Sequence, residues 1–427
     1  MAEILPLEIP EESLDVAAFG FEPTRGGVCA AKGMRAIGID AGLRPEPGRL
    51  DLSLVAADEP VTVACTFTQN RFCAAPVQVS KEHAADGIAQ AVVLNSGNAN
   101  ASTGVPGLEV ARACARMVAE ALGCRETDVL VGSTGVIGRQ LPLDGFVTGI
   151  PEAVAKLDST PEAAHLAARA VMTTDTQCKE SAYTGTVTID GEDVQISVGG
   201  FVKGSGMIMP NMATMLSVIS CDAPLTHEAA QAALRDAVNA SFNKVTVDSD
   251  TSTNDTCILF ATGAAASGEV GLDSDAYPAI ASAIKAVTSD LARQIAADGE
   301  GATKLVTVDV LGAKTAEDAE TVARSIANSP LVKTAIFGHD ANWGRVAAAA
   351  GKCGVEFDQY NVDIDLLGVP VLRSGLPLPM DEEDMLRRFE GKEVKIAIAL
   401  GEGDAHARMW TCDFSHDYIV INGDYRT

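Results

Sequence analysis

Lys203-Gly-Ser-Gly-Met-Ile-Met-Pro-Asn-Met-Ala-Thr-Met-Leu216 is the stretch on which the reading of this chain turns. Just inside its end, Met215 opens an apolar run to Ile219 that reads as a buried strand. Upstream, residues 185–189 and 194–198 alternate in polarity on either side of Asp190-Gly191, the pattern of a β-hairpin. Thr214 therefore heads a core strand, preceded by the small Ala213, a Pro210-Asn211 turn, and Gly204 and Gly206. Two readings fit. In the first, a threonine simply begins a strand. In the second, the glycine-rich turn presses the Ala213 carbonyl onto the Thr214 hydroxyl and the peptide bond breaks. A freed Thr214 would hold both a nucleophile and an α-amine that titrates near about pH 7.7–8.0 and serves as its base.

Outward from this segment, strands and helices alternate. Val61–Phe67, residues 91–94 and 129–131 read as strands from their β-branched content. Residues 108–122 carry apolar positions at helical spacing, with Gly123 as a stop, and 161–172 open on a proline after Ser-Thr. Residues 227–240 and 275–297 read as amphipathic helices, and 257–261, 304–311, 394–399 and 408–414 as further strands. The mixture predicts an α/β protein, a layered sandwich with sheets inside and helices outside. At 427 residues a second domain is expected, with a boundary near 300.

The composition narrows the classes. Apolar residues reach 47% with only 4% aromatic, so the core is aliphatic. A net charge of −26 opposes nucleic acid and anionic membrane surfaces, which need neutralising cations. No apolar run approaches the about 18 residues of a membrane span. The ten cysteines include no Cys-x-x-Cys pair and the N-terminus has no export pattern, so reduced thiols and a cytoplasmic location are expected.

Other segments offer chemistry less directly. Ser133-Thr-Gly-Val-Ile-Gly138 follows a strand and sets a hydroxyl and an unhindered backbone N–H at its end, either an oxyanion-binding pair or an ordinary turn. Residues 95–100, Asn-Ser-Gly-Asn-Ala-Asn, suit a polar pocket wall or an Asx turn. Glycines flank Glu300 in 298–304, as ligand approach or as helix-end punctuation. Residues 247–256 are rich in carboxylates and hydroxyls but lack the glycine and closing glutamate of a calcium loop. No metal is expected there, and the six histidines make no zinc or triad set. His339–Arg345 reads equally as a loop before the Ala-rich helix at 346–350.

Together these segments resemble the ornithine acetyltransferase (glutamate N-acetyltransferase) family of arginine biosynthesis. The resemblance runs in order through Gly33-Met-Arg with Gly38, 95–100, 133–138, Met172-Thr-Thr-Asp-Thr176, 203–216, 248–255, 298–304, 338–345 and the terminal Ile421-Asn-Gly-Asp-Tyr-Arg-Thr427. It implies a sandwich similar to, but not topologically identical with, N-terminal-nucleophile hydrolases. It implies cleavage at Ala213–Thr214 into an N-terminal fragment 1–213 and a C-terminal fragment 214–427, with Thr214 as nucleophile. Thr134 and Gly135 would form the oxyanion hole. Substrate contacts would come from Thr173, Lys203, Thr214, Glu300, Asn422 and Thr427. The substrates implied are N-acetylornithine and glutamate, with no cofactor and with acetyl-CoA left open as a second donor. The implied assembly is a heterotetramer of two copies of each fragment. Cys29-Ala-Ala before Lys32, Met209 and Gly423 depart from the family pattern, and none touches a proposed catalytic group. A self-processing aminopeptidase or amidase of related fold, and a binding protein that never processes, are the rival readings.

Overall fold

The computed structural model describes residues 4–10, 16–209 and 215–424. The chain divides into two compact units, the larger formed by residues 13–243 and 250–295 and the smaller by 1–12, 244–249 and 296–426.

The larger unit holds β1 (Glu22–Pro23), β2 (Met34–Ile39), β3 (Leu52–Phe67), α1 (Ala75–His83), β4 (Ile88–Asn98), α2 (Gly104–Leu122), β5 (Val129–Val136), α3 (Asp144–Lys156) and α4 (Pro161–Ala170). It continues through β6 (Lys179–Ile189), β7 (Glu192–Lys203), β8 (Leu216–Cys221), α5 (His227–Ala240), β9 (Thr256–Ala261) and α6 (Tyr277–Ala297). The strands order as β1-β6-β7-β8-β9-β3-β4-β5, with β2 also on β3. The long β3 makes this possible: its first half pairs with β2 and its second half with β9, and the register against β4 slips between Ala56 and Val61.

Three strands separate β5 from β8 along the sheet, yet a Cβ built on Gly132 of β5 would lie 3.5 Å from a Leu216 methyl. The sheet thus curls until its two halves face one another, and one aliphatic layer fills the gap. Val92, Leu94 and Leu130 meet Phe201, Leu216, Val218 and Phe260 there. Strand alternation sends Ala91, Val93, Val129 and Val131 to the opposite face, against α1, α2 and α3. Asp290 of α6 accepts hydrogen bonds from Ser181 and Tyr183 of β6, and α5 is tied to β3 through Gln231 and the Cys65 backbone. The layers are helix, sheet, sheet, helix, as expected.

Local signals account for much of this. Asp190 and Gly191 both have positive φ (51° and 85°), which is why that dipeptide turns the β6–β7 hairpin. Thr160 caps α4 through Ala163 N–H, with Pro161 in the first turn. The sequence reading gave no strand over Met34–Ile39, no first half of β3, and no α1 or α3. The last carries Pro151 and two internal glycines, which mask its helical pattern. Gly38 in β2 is required by close packing: a Cβ there would come within 1.9 Å of the Leu166 carbonyl of α4. Gly38→Ala is expected to destabilise the protein by about 2–3 kcal/mol, read as a lower urea midpoint.

The smaller unit is a six-stranded sheet in the order β13-β12-β11-β14-β10-β15. Its elements are β10 (Leu305–Ala313), α7 (Ala316–Ala327), α8 (Pro330–Phe337), α9 (Trp343–Gly351), β11 (Asp363–Leu366), β12 (Val369–Arg373), β13 (Leu376–Pro377), α10 (Glu382–Phe389), β14 (Glu393–Ala399), β15 (Ala405–Cys412) and α11 (His416–Asp424). Val306, Val308, Val310, Ile396 and Ile398 pack with Val322, Ala323 and Ile326 of α7. Two distant segments join it: Thr246 N–H donates to the Trp410 carbonyl, and Leu7 N–H to Asp365. No pattern in the sequence marks either attachment. Asn342 caps α9, so the His339–Arg345 stretch is the loop into that helix. Among the described residues no helix is long and apolar enough to cross a membrane.

Candidate active site

Within the larger unit, three strand ends converge. β4 and β5 run parallel, with Ser96 opposite Thr134 and Gly97 opposite Gly135. Gly135 has φ +131°, and a Cβ on it would lie 2.3 Å from the Gly97 carbonyl carbon, so only glycine lets the two backbones approach. The asparagine-rich turn is a scaffold: Asn95 bonds the Ser133 hydroxyl and the Asn98 carbonyl, while Asn98 accepts from Asn100 N–H. Asn254 stitches a second loop to it, donating to Ala99 and Ser133 carbonyls at 2.6 and 2.8 Å. The 247–256 segment is therefore a hydrogen-bonded brace.

Lys203 ends β7, and its ammonium donates to the Thr134 hydroxyl oxygen at 3.3 Å. A protonated lysine can only donate, so the Thr134 O–H is left to point elsewhere. That makes the half-buried hydroxyl a donor, polarised by an adjacent cation. Leu216, the first residue of β8, lies opposite Lys203 on one side and Thr256 on the other. Ala213 and Thr214 lie outside the described residues.

Two buried carboxyls face this lysine. Asp175 accepts from Lys179 at 2.7 Å, from Gly204 N–H at 2.7 Å and from Thr173 N–H at 3.0 Å. Burial pushes its carboxyl up, but Lys179 and Lys203 outweigh that and hold it well below the usual range. Asp255, next to Asn254, is fully buried and receives Met215 N–H and the Ser252 hydroxyl, while its Oδ2 has no partner among the described residues. Burial drives its carboxyl well above the usual range, against Met215 and Lys203, which lower it.

Both carboxyls were missed by the sequence reading. It singled out Thr173 in 172–176, and in the structure Thr173 N–H donates to Asp175. Thr173 is half-buried, its carbonyl accepting from Arg49 at 2.6 Å. An acidic residue four before a lysine was the available signal. Asp175→Asn removes the carboxylate paired with the buried Lys179 and is expected to cost about 3–5 kcal/mol. Because the folded carboxyl is depressed, its contribution is full above the unfolded value of about 3.9 and fades as pH falls below it. Urea midpoints of the variant should therefore change less than the parent's below that pH.

In the smaller unit, Glu300 and Asn422 meet, the Asn422 amide donating to the Glu300 carboxylate at 2.8 Å. Glu300 is buried and Asn422 exposed on α11. Gly301, at φ +69°, lets the start of α11 close in, since a Cβ would lie 2.5 Å from Tyr418 N. The Ser415 hydroxyl bonds the Gly301 carbonyl. Thr427 lies outside the described residues.

The family model described as the ArgJ family matches residues 35–427. The chain belongs to the ArgJ family. ArgJ relatives named arginine biosynthesis bifunctional protein ArgJ include that of Symbiobacterium thermophilum, 46% identical over 94% of this chain and 99% of its own. That of Caldanaerobacter subterraneus is 44% identical over 94% and 99%. Among solved structures, ArgJ from Bacillus halodurans is 40% identical over 48% of this chain and 97% of its own, with a TM-score of 0.47. Ornithine acetyltransferase from Mycobacterium tuberculosis, complexed with ornithine, is 35% identical over 46% and 100%, with a TM-score of 0.40. The kinship expected from the sequence motifs holds, and the chain is an enzyme of the ArgJ family.

Proposed function

We propose that the protein moves the acetyl group of N-acetylornithine to glutamate through an ester on Thr214, after cleaving itself between Ala213 and Thr214. The observation that carries this reading is the Lys203–Thr134 hydrogen bond, which supports a polarised donor beside Gly135 at the strand ends next to β8. In the precursor, the Thr214 hydroxyl attacks the Ala213 carbonyl, and water hydrolyses the resulting ester. In the mature enzyme, the Thr214 amine takes the hydroxyl proton as Oγ attacks the acetamide carbon. The Thr134 O–H and Gly135 N–H hold the negative oxygen. Ornithine leaves with the proton, and the glutamate amine then takes the acetyl group from the ester, a ping-pong transfer. Lys203, Glu300, Asn422, Thr173 and Thr427 are the substrate contacts in this reading.

The bifunctional name of the relatives supports acetyl-CoA as a second acetyl donor to glutamate. The ten cysteines are all free, which suits a cytoplasmic enzyme. The fragments would assemble as two copies of each, checked by native mass spectrometry. The deciding assay incubates enzyme with N-acetylornithine, with and without glutamate. Acetylglutamate formed in step with ornithine is the expected result; ornithine release indifferent to glutamate would instead favour an amidase.

A further inference from the structure

Away from these strand ends, β6 begins with a change of face. Lys179 points one way, into its ion pair with Asp175. Cys178 and Glu180, one residue to either side, share the opposite face. α4 lies over that face and brings His165, whose Nδ1 stands 2.6 Å from Glu180 Oε2, while the Cys178 thiol donates to the same oxygen at 3.6 Å. One ligand atom each from His165, Cys178 and Glu180 lies within 4.8 Å of the others, and all three residues are half-buried.

We propose that His165, Cys178 and Glu180 form a binding site for a divalent transition ion of zinc type. Nitrogen, sulfur and carboxylate oxygen are the ligand types zinc takes, at about 2.0–2.3 Å. Ligand atoms around a tetrahedral ion at those lengths are about 3.3–3.6 Å apart. The Cys178–Glu180 separation already matches. The His165–Glu180 pair is shorter, at hydrogen-bond length, and it must open by about 0.7 Å to admit an ion. One thiolate and one carboxylate balance the ion's two charges.

Without an ion the cysteine stays a thiol: burial, then the Glu180 charge, push it up to about 12. Binding therefore releases a proton from Cys178, which the ion's charge makes feasible. Lys179 and Arg169 are the cations felt by this thiol; the first is held by Asp175 and the second is exposed. The fourth position falls to water. Gly27 gives the carboxylate its room, since a Cβ there would lie 2.5 Å from Glu180 Oε1.

The test uses the full-length chain, stripped with a chelator and titrated with Co2+ alone. One ion per chain should bind with a thiolate-to-cobalt charge-transfer band, and Zn2+ should displace it. Cys178→Ser should abolish the band, and His165→Ala should weaken binding at least about ten-fold. Absence of the band in the parent protein overturns the proposal whether or not the variants fold, and so does a band that survives in Cys178→Ser. None of these readouts depends on acetyl transfer.

Discussion

Replacing Thr214 with alanine is expected to leave a single band of 44.2 kDa on a denaturing gel, where the proposed cleavage of the parent would give two fragments of roughly equal size. The variant removes the nucleophilic hydroxyl of the proposed chemistry, which serves both to break the chain and to carry the acetyl group. Residues acting as one catalytic unit lose nearly all their rate enhancement together, so transfer should fall by at least about 10⁴-fold. The loss is chemical. The following strand, β8, lies in the interior of the sheet between β7 and β9, and Met215 is held by Thr256 N–H, so the architecture does not depend on a methyl-bearing alcohol one residue earlier. Thr214→Ser keeps a primary hydroxyl and should still process. Turnover by the alanine variant, or two fragments from it, would be incompatible with the assignment.

The second large effect is expected at Thr134. Thr134→Val keeps the shape and removes the hydroxyl. Losing one oxyanion donor typically lowers kcat about 10²–10³-fold, about 2.7–4 kcal/mol, and KM for N-acetylornithine should move little. The change also deprives the Lys203 ammonium of an acceptor, but Asp175 and Asp255 still face that charge. Stability should therefore fall far less than activity, which a thermal melt beside the assay separates. A kcat within about threefold of the parent would remove Thr134 from the mechanism.

The sequence was most legible where local chemistry and tertiary environment agree. The Asp190-Gly191 hairpin, the capped helix after Thr160 and the helix from His227 to Ala240 all stand where turn residues and periodicity put them. Ser133–Gly135 was legible as a polar end to a strand, Lys203 came only with the family resemblance, and the structure joins Lys203 to Thr134. What escaped depends on distance along the chain. Nothing near Asp175 announces that Gly204 N–H will reach it, and nothing near Asp255 announces its burial beneath Met215. Met34–Ile39 and the first half of Leu52–Phe67 escaped, the latter because Asp58-Glu59-Pro60 interrupt a long bent strand that follows no single alternation.

The order of strands in the larger unit has a consequence for the cleaved molecule. A break at 213–214 would leave β1 to β7 on one polypeptide and β8 and β9 on the other, yet β8 and β9 are inserted between β7 and β3. In the smaller unit, Leu7 and Arg373 of the same two polypeptides are likewise bonded, through Asp365 and the Leu5 carbonyl. The halves would be interleaved partners that part only when both folds are dismantled. Separately expressed pieces should consequently fail to assemble, and a chain cut at 213–214 would have to finish folding as one polypeptide first.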